Sequence, residues 1–221
     1  MENAQRCFEL LQVGDFSEIR RLIDEDSGCA EARDSNGISL VMQLLYRGRR
    51  DLAETVACKK KALDIFEAAS LGRMGRLKDL ASDPNGINAR SGDGFTALHF
   101  AGFFGQGGAA RVLIEAGAAV DAVASNPMQV MPLHSAASAR NLEAVRHLLE
   151  HGAPVNARQQ GGWVPLHAAA QNGDQDMVAL LLRHGADAAS ANDAGKTPAA
   201  VAREKGHEEV AGMLEGAQVR G

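Results

Sequence analysis

A cassette that returns at nearly constant spacing down the C-terminal half constrains this chain most. Phe95-Thr96-Ala97-Leu98-His99, Val130-Met131-Pro132-Leu133-His134, Trp163-Val164-Pro165-Leu166-His167 and Lys196-Thr197-Pro198-Ala199-Ala200 align, with fifth positions 35, 33 and 33 residues apart. Each cassette runs on into small residues, an aliphatic pair such as Leu148-Leu149 or Leu181-Leu182, and then Gly-Ala. A fixed period of this length means one supersecondary unit stacked repeatedly on a shared core. It overrides the one or two compact domains that 221 residues would otherwise suggest.

The unit from Gly162 to Ala191 is the easiest to read. Pro165 suits the first turn of a helix, where its missing N–H is harmless and its φ is already helical. Leu166, Ala169 and Ala170 make an inner helix whose small side chains permit close packing. Asn172-Gly173-Asp174 signals a turn. Met177, Val178, Leu181 and Leu182 then follow at helical spacing and mark an outer helix with one apolar stripe. Gly185 suits the left-handed conformation after that helix.

These strings resemble the ankyrin repeat family. Thr96-Ala97-Leu98-His99, Pro132-Leu133-His134 and Pro165-Leu166-His167 are similar to its Thr-Pro-Leu-His signature. Gly117-Ala118-Ala119-Val120-Asp121-Ala122 and Gly152-Ala153-Pro154-Val155-Asn156-Ala157 are similar to its repeat-closing Gly-Ala-Asp-Val-Asn-Ala. The resemblance covers four units, roughly residues 91–215. It implies an all-α solenoid of helix–turn–helix units with short β-hairpin fingers between them.

The N-terminal half keeps the same beat in a degenerate form. The residue between paired helices falls at Gly14, Gly48, Gly72, Gly105, Arg140, Gly173 and Gly206, at intervals of 34, 24, 33, 35, 33 and 33. About seven helix pairs are therefore expected in a single solenoid over residues 1–215. Residues 1–90 would hold divergent repeats and an N-terminal cap, residues 91–215 four recognisable repeats, and residues 216–221 a frayed tail. The 24-residue interval leaves no room for a finger between Thr55 and Ile65, so the stack should kink or reorient near Lys60. The 35-residue interval reflects two extra residues in Ala124 to Val130 and a longer finger there. Terminal repeats must present polar outer faces; Glu204, Lys205, His207, Glu208 and Glu209 supply one end.

Composition excludes several function classes. A net charge of −5 offers no dominant basic face for nucleic acid, and Lys59-Lys60-Lys61, the only basic run, reads as a solvated helix end. No apolar stretch of about 18 residues is present to span a membrane. The first residues lack a secretory pattern, and Cys7, Cys29 and Cys58 are odd in number without metal-ligand spacing. The expectation is a cytoplasmic, intracellular and monomeric protein with reduced thiols, leaving weak self-association through the N-terminal cap open.

Candidate chemistry is thin. Equivalent residues of stacked units lie roughly a helix diameter, about 10 Å, apart, whereas a zinc ligand sits about 2 Å from its metal. His99, His134 and His167 are therefore not expected to form a metal site; the family resemblance instead implies histidines that hydrogen-bond locally and link neighbouring turns. Ser135 beside His134 lacks catalytic geometry, and Gly105-Gln106-Gly107-Gly108 lacks the Lys-Ser/Thr of a phosphate loop. No catalytic residue, cofactor or metal is expected, and the reading is a non-enzyme.

Aromatic residues say more. Four of the nine in the chain fall within ten positions: Phe95, Phe100, Phe103 and Phe104. By the family resemblance, Phe100 points into the stack, while Phe95, Val130 and Trp163 occupy the variable position at the foot of each finger. Phe103 and Phe104 end an inner helix, where the family carries ligand contacts, and Met128 lies on the long finger. A row of Phe95, Val130 and Trp163 flanked by Phe103 and Phe104 would make an apolar strip on the concave face; the competing reading has the Phe pair covering the thin Gly107 to Ala110 stretch. Exposed patches of that kind mark interaction sites. Asp93, Gln160 and Lys196 on fingers, and Ser138, Arg140, Gln171 and Asn172 at inner-helix ends, complete the candidate partner-binding set. Arg140 stands where glycine is expected, with Asn141 expected to take the left-handed conformation.

The expected function is protein–protein interaction with a protein or peptide across the concave face. Other classes stay open: a regulatory or inhibitory subunit of an enzyme, a secreted host-directed effector, a small-molecule-binding or catalytic protein using Lys59 to Asp64, and a self-associating scaffold.

Overall fold

The computed structural model describes residues 2–83 and 86–218. Among them are fourteen α-helices: α1 (Glu2–Val13), α2 (Phe16–Glu25), α3 (Leu40–Tyr46), α4 (Arg50–Lys59), α5 (Ile65–Leu71), α6 (Met74–Leu80), α7 (Ala97–Phe103), α8 (Gly107–Glu115), α9 (Pro132–Ser138), α10 (Leu142–Glu150), α11 (Pro165–Gln171), α12 (Gln175–Arg183), α13 (Pro198–Glu204) and α14 (Glu208–Gln218). They pack as seven consecutive helix–turn–helix pairs. Odd-numbered helices stack into an inner layer and even-numbered helices into an outer one. α14 continues through Gln218, whose amide donates to the Ala188 carbonyl at 2.8 Å. The rest of the expected tail lies outside the described residues.

Local sequence explains the helix starts. Asp15, Ser39, Asp64, Asn141, Asp174 and Thr197 each accept a backbone N–H from the first turn of the following helix, satisfying donors that would otherwise be orphaned. Asp174, the last residue of the Asn172-Gly173-Asp174 turn, caps α12 by accepting the Met177 N–H at 3.1 Å. Pro132, Pro165 and Pro198 open α9, α11 and α13, as their fixed φ allows. The inner helices are thin where they meet. A β-carbon on Gly102 of α7 would stand 3.2 Å from that of Ala136 in α9. Leu133, Leu166, Leu148 and Leu181 have no exposed surface, each burial being worth roughly 1.5–3 kcal/mol. One apolar core runs from Cys7 to Leu214.

The fingers are tight turns rather than β-hairpins. Each is closed across its base by a backbone bond, Asp34 N–H to Ile38 O (2.9 Å), Ser91 to Phe95 (2.9 Å), Ala124 to Val130 (2.8 Å), Gln159 to Trp163 (2.9 Å) and Asn192 to Lys196 (3.0 Å), with a further backbone bond inside the turn. An isolated bridge between Arg33 and Ser39 is the only β-pairing among the described residues. The turns are too short to extend a ladder, so successive tips tie to each other instead: Ser125 N–H to Gly94 O, Gln160 N–H to Met128 O and Asp193 N–H to Gly161 O, at 3.0–3.1 Å.

The short interval has a specific structural consequence. α4 ends at Lys59 and α5 begins at Ile65 with no finger between them, and the outer helices α4 and α6 do not pack as a pair. The lysine run there is not a solvated helix end. Lys59 reaches back to Asp24 (2.6 Å) and the Ile23 carbonyl (3.2 Å). Lys60 has only 2% of its side chain exposed and pairs with Glu31 (3.3 Å) and the fully buried Glu67 (3.2 Å). Lys61 N–H binds Glu31, and Arg33 binds Asp64 at 2.6 Å. These bonds tie the fingerless junction back to α2 and to the segment between the first and second pairs.

One local expectation changes. Arg140 itself is left-handed (φ 58°), because Asn141 is needed at negative φ (−84°) to cap α10 while its buried amide donates to the Ala101 and Gly102 carbonyls at 3.3 and 3.2 Å. Cys7 and Cys29 are buried side by side as free thiols, and burial pushes the Cys7 thiol up to about 12.

Candidate functional site

A histidine ladder fixes the inner face. In each unit the backbone N–H of the residue three before it donates to histidine Nδ1, from Thr96 (3.2 Å), Met131 (3.0 Å) and Val164 (3.1 Å). Nδ1 is thereby an acceptor, so the proton sits on Nε2. That nitrogen donates to a carbonyl of the next finger region, Val130 for His99 (3.0 Å), Ala157 for His134 (2.9 Å) and Lys196 for His167 (3.0 Å). Both ring nitrogens are committed, so the three imidazoles are structural links. Burial first of all depresses their basicity, bringing His99 to about 4 and lowering His134 and His167.

An apolar groove of about 300 Å³ lies on this face. Phe95, Phe103, Met128 and Val130 line it together with Tyr46 and Phe100. The aromatic rings form one connected cluster. Phe100, 3% exposed, meets Phe95 at 5.6 Å, Phe66 at 5.9 Å, and Phe104 and Tyr46 at 6.4 Å. Tyr46 belongs to the second helix pair and Phe100 to the fourth, and the missing finger explains how they touch. The tip at 34–38 abuts the tip at 91–95 so closely that a β-carbon on Gly92 would lie 1.8 Å from the Asn36 carbonyl oxygen. Tyr46 then donates its hydroxyl to Asp93, and burial followed by that bond raises the phenol's pKa.

A second, amide-rich recess of about 320 Å³ continues from the first. Ser138, Gln160, Trp163, Gln171 and Asn172 line it, and His134, Ser138 and Gln159 belong to both. Trp163 is half-buried and leans on His167 at 5.2 Å, as Phe95 leans on His99 at 5.6 Å.

The residues expected to form the site divide. Phe103 and Met128 are each 51% exposed beside the groove. Val130 is 5% exposed and forms floor rather than part of an exposed strip, because its carbonyl must meet His99. Phe104 is half-buried against Tyr46 and Phe100. The thin Gly107-Gly108 stretch is covered by Glu143 and Met74 instead of by the Phe pair. Asp93 is engaged internally with Tyr46 and Ser91. Asn172 donates to the Ala137 and Ser138 carbonyls. Arg140 pairs with Asp174 at 3.3 Å and Lys196 with Glu204 at 2.7 Å, outside both recesses. Tyr46 and Gln159 were missed. Tyr46 ends α3 as Phe103 ends α7, so helix register carries its signal.

Comparison with known proteins decides the family: the model described as "Ankyrin repeats (3 copies)" matches residues 56–159 and 133–220. The chain belongs to the ankyrin repeat family. Ankyrin repeats are generally protein–protein interaction modules. Curated relatives include Ankyrin repeat and SAM domain-containing protein 6 of Rattus norvegicus, 37% identical over 130 residues, and its namesake of Mus musculus, 38% identical over 130 residues. Each alignment takes in 54% of this chain and 15% of the relative. No helix among the described residues is long and apolar enough to cross a membrane.

Proposed function

We propose that this ankyrin repeat chain is a non-catalytic binding module that receives a protein or peptide partner along its inner groove, working as one elongated solenoid over residues 1–215. The observation that carries the reading is the open apolar groove in which exposed Phe103 and Met128 stand over a ring cluster of Tyr46, Phe95 and Phe100. An apolar side chain of the partner fills that groove. The adjoining amides of Gln159, Gln160 and Gln171 pair with the partner's backbone or polar groups. Tips bonded to one another and histidines locked between turns keep the surface preorganised, so little ordering entropy is lost on association.

Affinity capture from native extract, read by mass spectrometry, tests this directly. A partner retained by the wild type should be lost roughly tenfold or more with Phe103→Ala or Trp163→Ala, the scale of a binding hot spot. Capture of the same proteins by all three baits would contradict it.

A further inference from the structure

Where α4 and α6 pack only sparsely, the outer layer holds an open cleft of about 700 Å³ that shares no residue with the inner groove. Farther along, outer helices cover one another, α6 against α8 and α8 against α10. Between α4 and α6 the packing is sparser, with Arg73 at the start of α6 reaching Glu54 of α4, and apolar surface is left open: Leu63 is half-buried and Met74 is 46% exposed.

Its charge is distinctive in a chain of net charge −5. Lys60, Lys61, Arg73 and Arg76 all line the cleft and no carboxylate does. Lys60 is neutralised by Glu31 and Glu67, and Arg73 by Glu54. Lys61 and Arg76 remain. Arg76 donates only Nε, to the Leu63 carbonyl at 3.0 Å, and neither side chain forms an ion pair among the described residues. A low-polarity floor beside two cations that hold no ion pair of their own attracts carboxylates and apolar side chains together.

We infer that this cleft docks an acidic, amphipathic peptide segment of a protein partner, its apolar side chains against Leu63 and Met74 and its carboxylates on Lys61 and Arg76. The surface is independent of the inner groove.

Fluorescence anisotropy on the full chain tests it with a labelled helical peptide of Glu and Leu, its Lys-for-Glu analogue, a single-stranded RNA and vesicles containing phosphatidylserine. The acidic peptide should bind with strong salt dependence and lose roughly tenfold on Lys61→Glu, about what one charge-assisted hydrogen bond contributes. Lys61→Glu/Arg76→Glu should instead bind the Lys analogue, and Phe103→Ala should leave the acidic peptide unchanged. Lys61 is exposed and its side chain holds no ion pair, so its variant reports even where Arg76→Glu unfolds the chain. Equal binding of the two peptides, insensitivity to Lys61→Glu, loss with Phe103→Ala, or preference for RNA or vesicles would overturn the proposal.

Discussion

Tyr46, the last residue of α3, donates its hydroxyl to the carboxylate of Asp93, 47 residues further along the chain. Tyr46 sits in the second helix pair and Asp93 in the turn before the fourth. The bond exists because the third pair has no finger to hold those turns apart. The same omission places Tyr46 over Phe100 and Phe104 and so builds one wall of the apolar groove.

Removing that hydroxyl should loosen the wall without unfolding the chain. Tyr46→Phe keeps the ring contacts and loses one partly exposed hydrogen bond, a cost of about 1 kcal/mol. Denaturant titration should show that small loss, while partner affinity falls through a less ordered Tyr46 ring. An unchanged midpoint and unchanged affinity would show the bond to be incidental.

Gly92→Val attacks the same junction from the other side. A side chain there must displace the Asn36 carbonyl, so overpacking should cost roughly 1–3 kcal/mol. Amide shifts should move at Asn36, Asp93 and Tyr46 and stay put in α11 to α14. A shift pattern confined to Gly92's immediate neighbours would disagree.

Phe100 and Phe103 should separate stability from binding. Phe100 is 3% exposed and touches four rings, so Phe100→Ala should cost about 3–5 kcal/mol. Phe103 is 51% exposed, so Phe103→Ala should change the unfolding midpoint little while weakening capture. Equal destabilisation by the two would place Phe103 in the core.

Breaking the buried pair at the junction should be severe. Lys60→Ala strands Glu67, which has no exposed surface, and removal of one partner from such a pair costs roughly 3–5 kcal/mol. Replacing both by Met should cost less than Lys60→Ala alone. Glu67 also caps α5 through Asp64 N–H at 3.0 Å, so the double variant should still lose part of that cap. Additive effects of the single changes would rule out a coupled pair.

Acid should weaken the fold through the histidine ladder. His99 has its folded pKa near 4 against an ordinary value of 6.5, so the unfolded chain takes up the proton first as pH falls. Stability from this group is therefore complete above pH 6.5 and declines from there to about 4, by up to about 3 kcal/mol. His134 and His167 are shifted in the same direction. Urea midpoints measured from neutral pH to about pH 5 should fall, and His99→Gln should flatten that slope. A flat profile would mean solvated imidazoles.

Much of this was written plainly in the chain. The period, the Pro-Leu-His strings and the Leu pairs repeat because every unit solves the same packing problem, so α7 to α14 could be placed by alignment. The inner-helix ends and finger feet follow from that register, which is why Phe103, Met128, Trp163 and Gln171 fall beside the two recesses. Features that depend on contacts between units were not legible. Lys60 looks solvated until Glu67 and Glu31 are folded against it. Arg140 looks like a turn with Asn141 left-handed until Asn141 is required as a buried cap. Tyr46 joins the phenylalanines only because a missing finger lets two distant turns meet, and spacing alone reports the omission without its consequence.

Photo-crosslinking measures the central claim most directly. A benzophenone side chain at Met128, beside the groove, and another at Arg146, exposed on outer helix α10, would be irradiated in native extract. The account predicts a discrete protein adduct from position 128 that disappears with Phe103→Ala, and none of that mass from position 146. Adducts of the same partner from position 146 alone, or an adduct at 128 indifferent to Phe103→Ala, would contradict it.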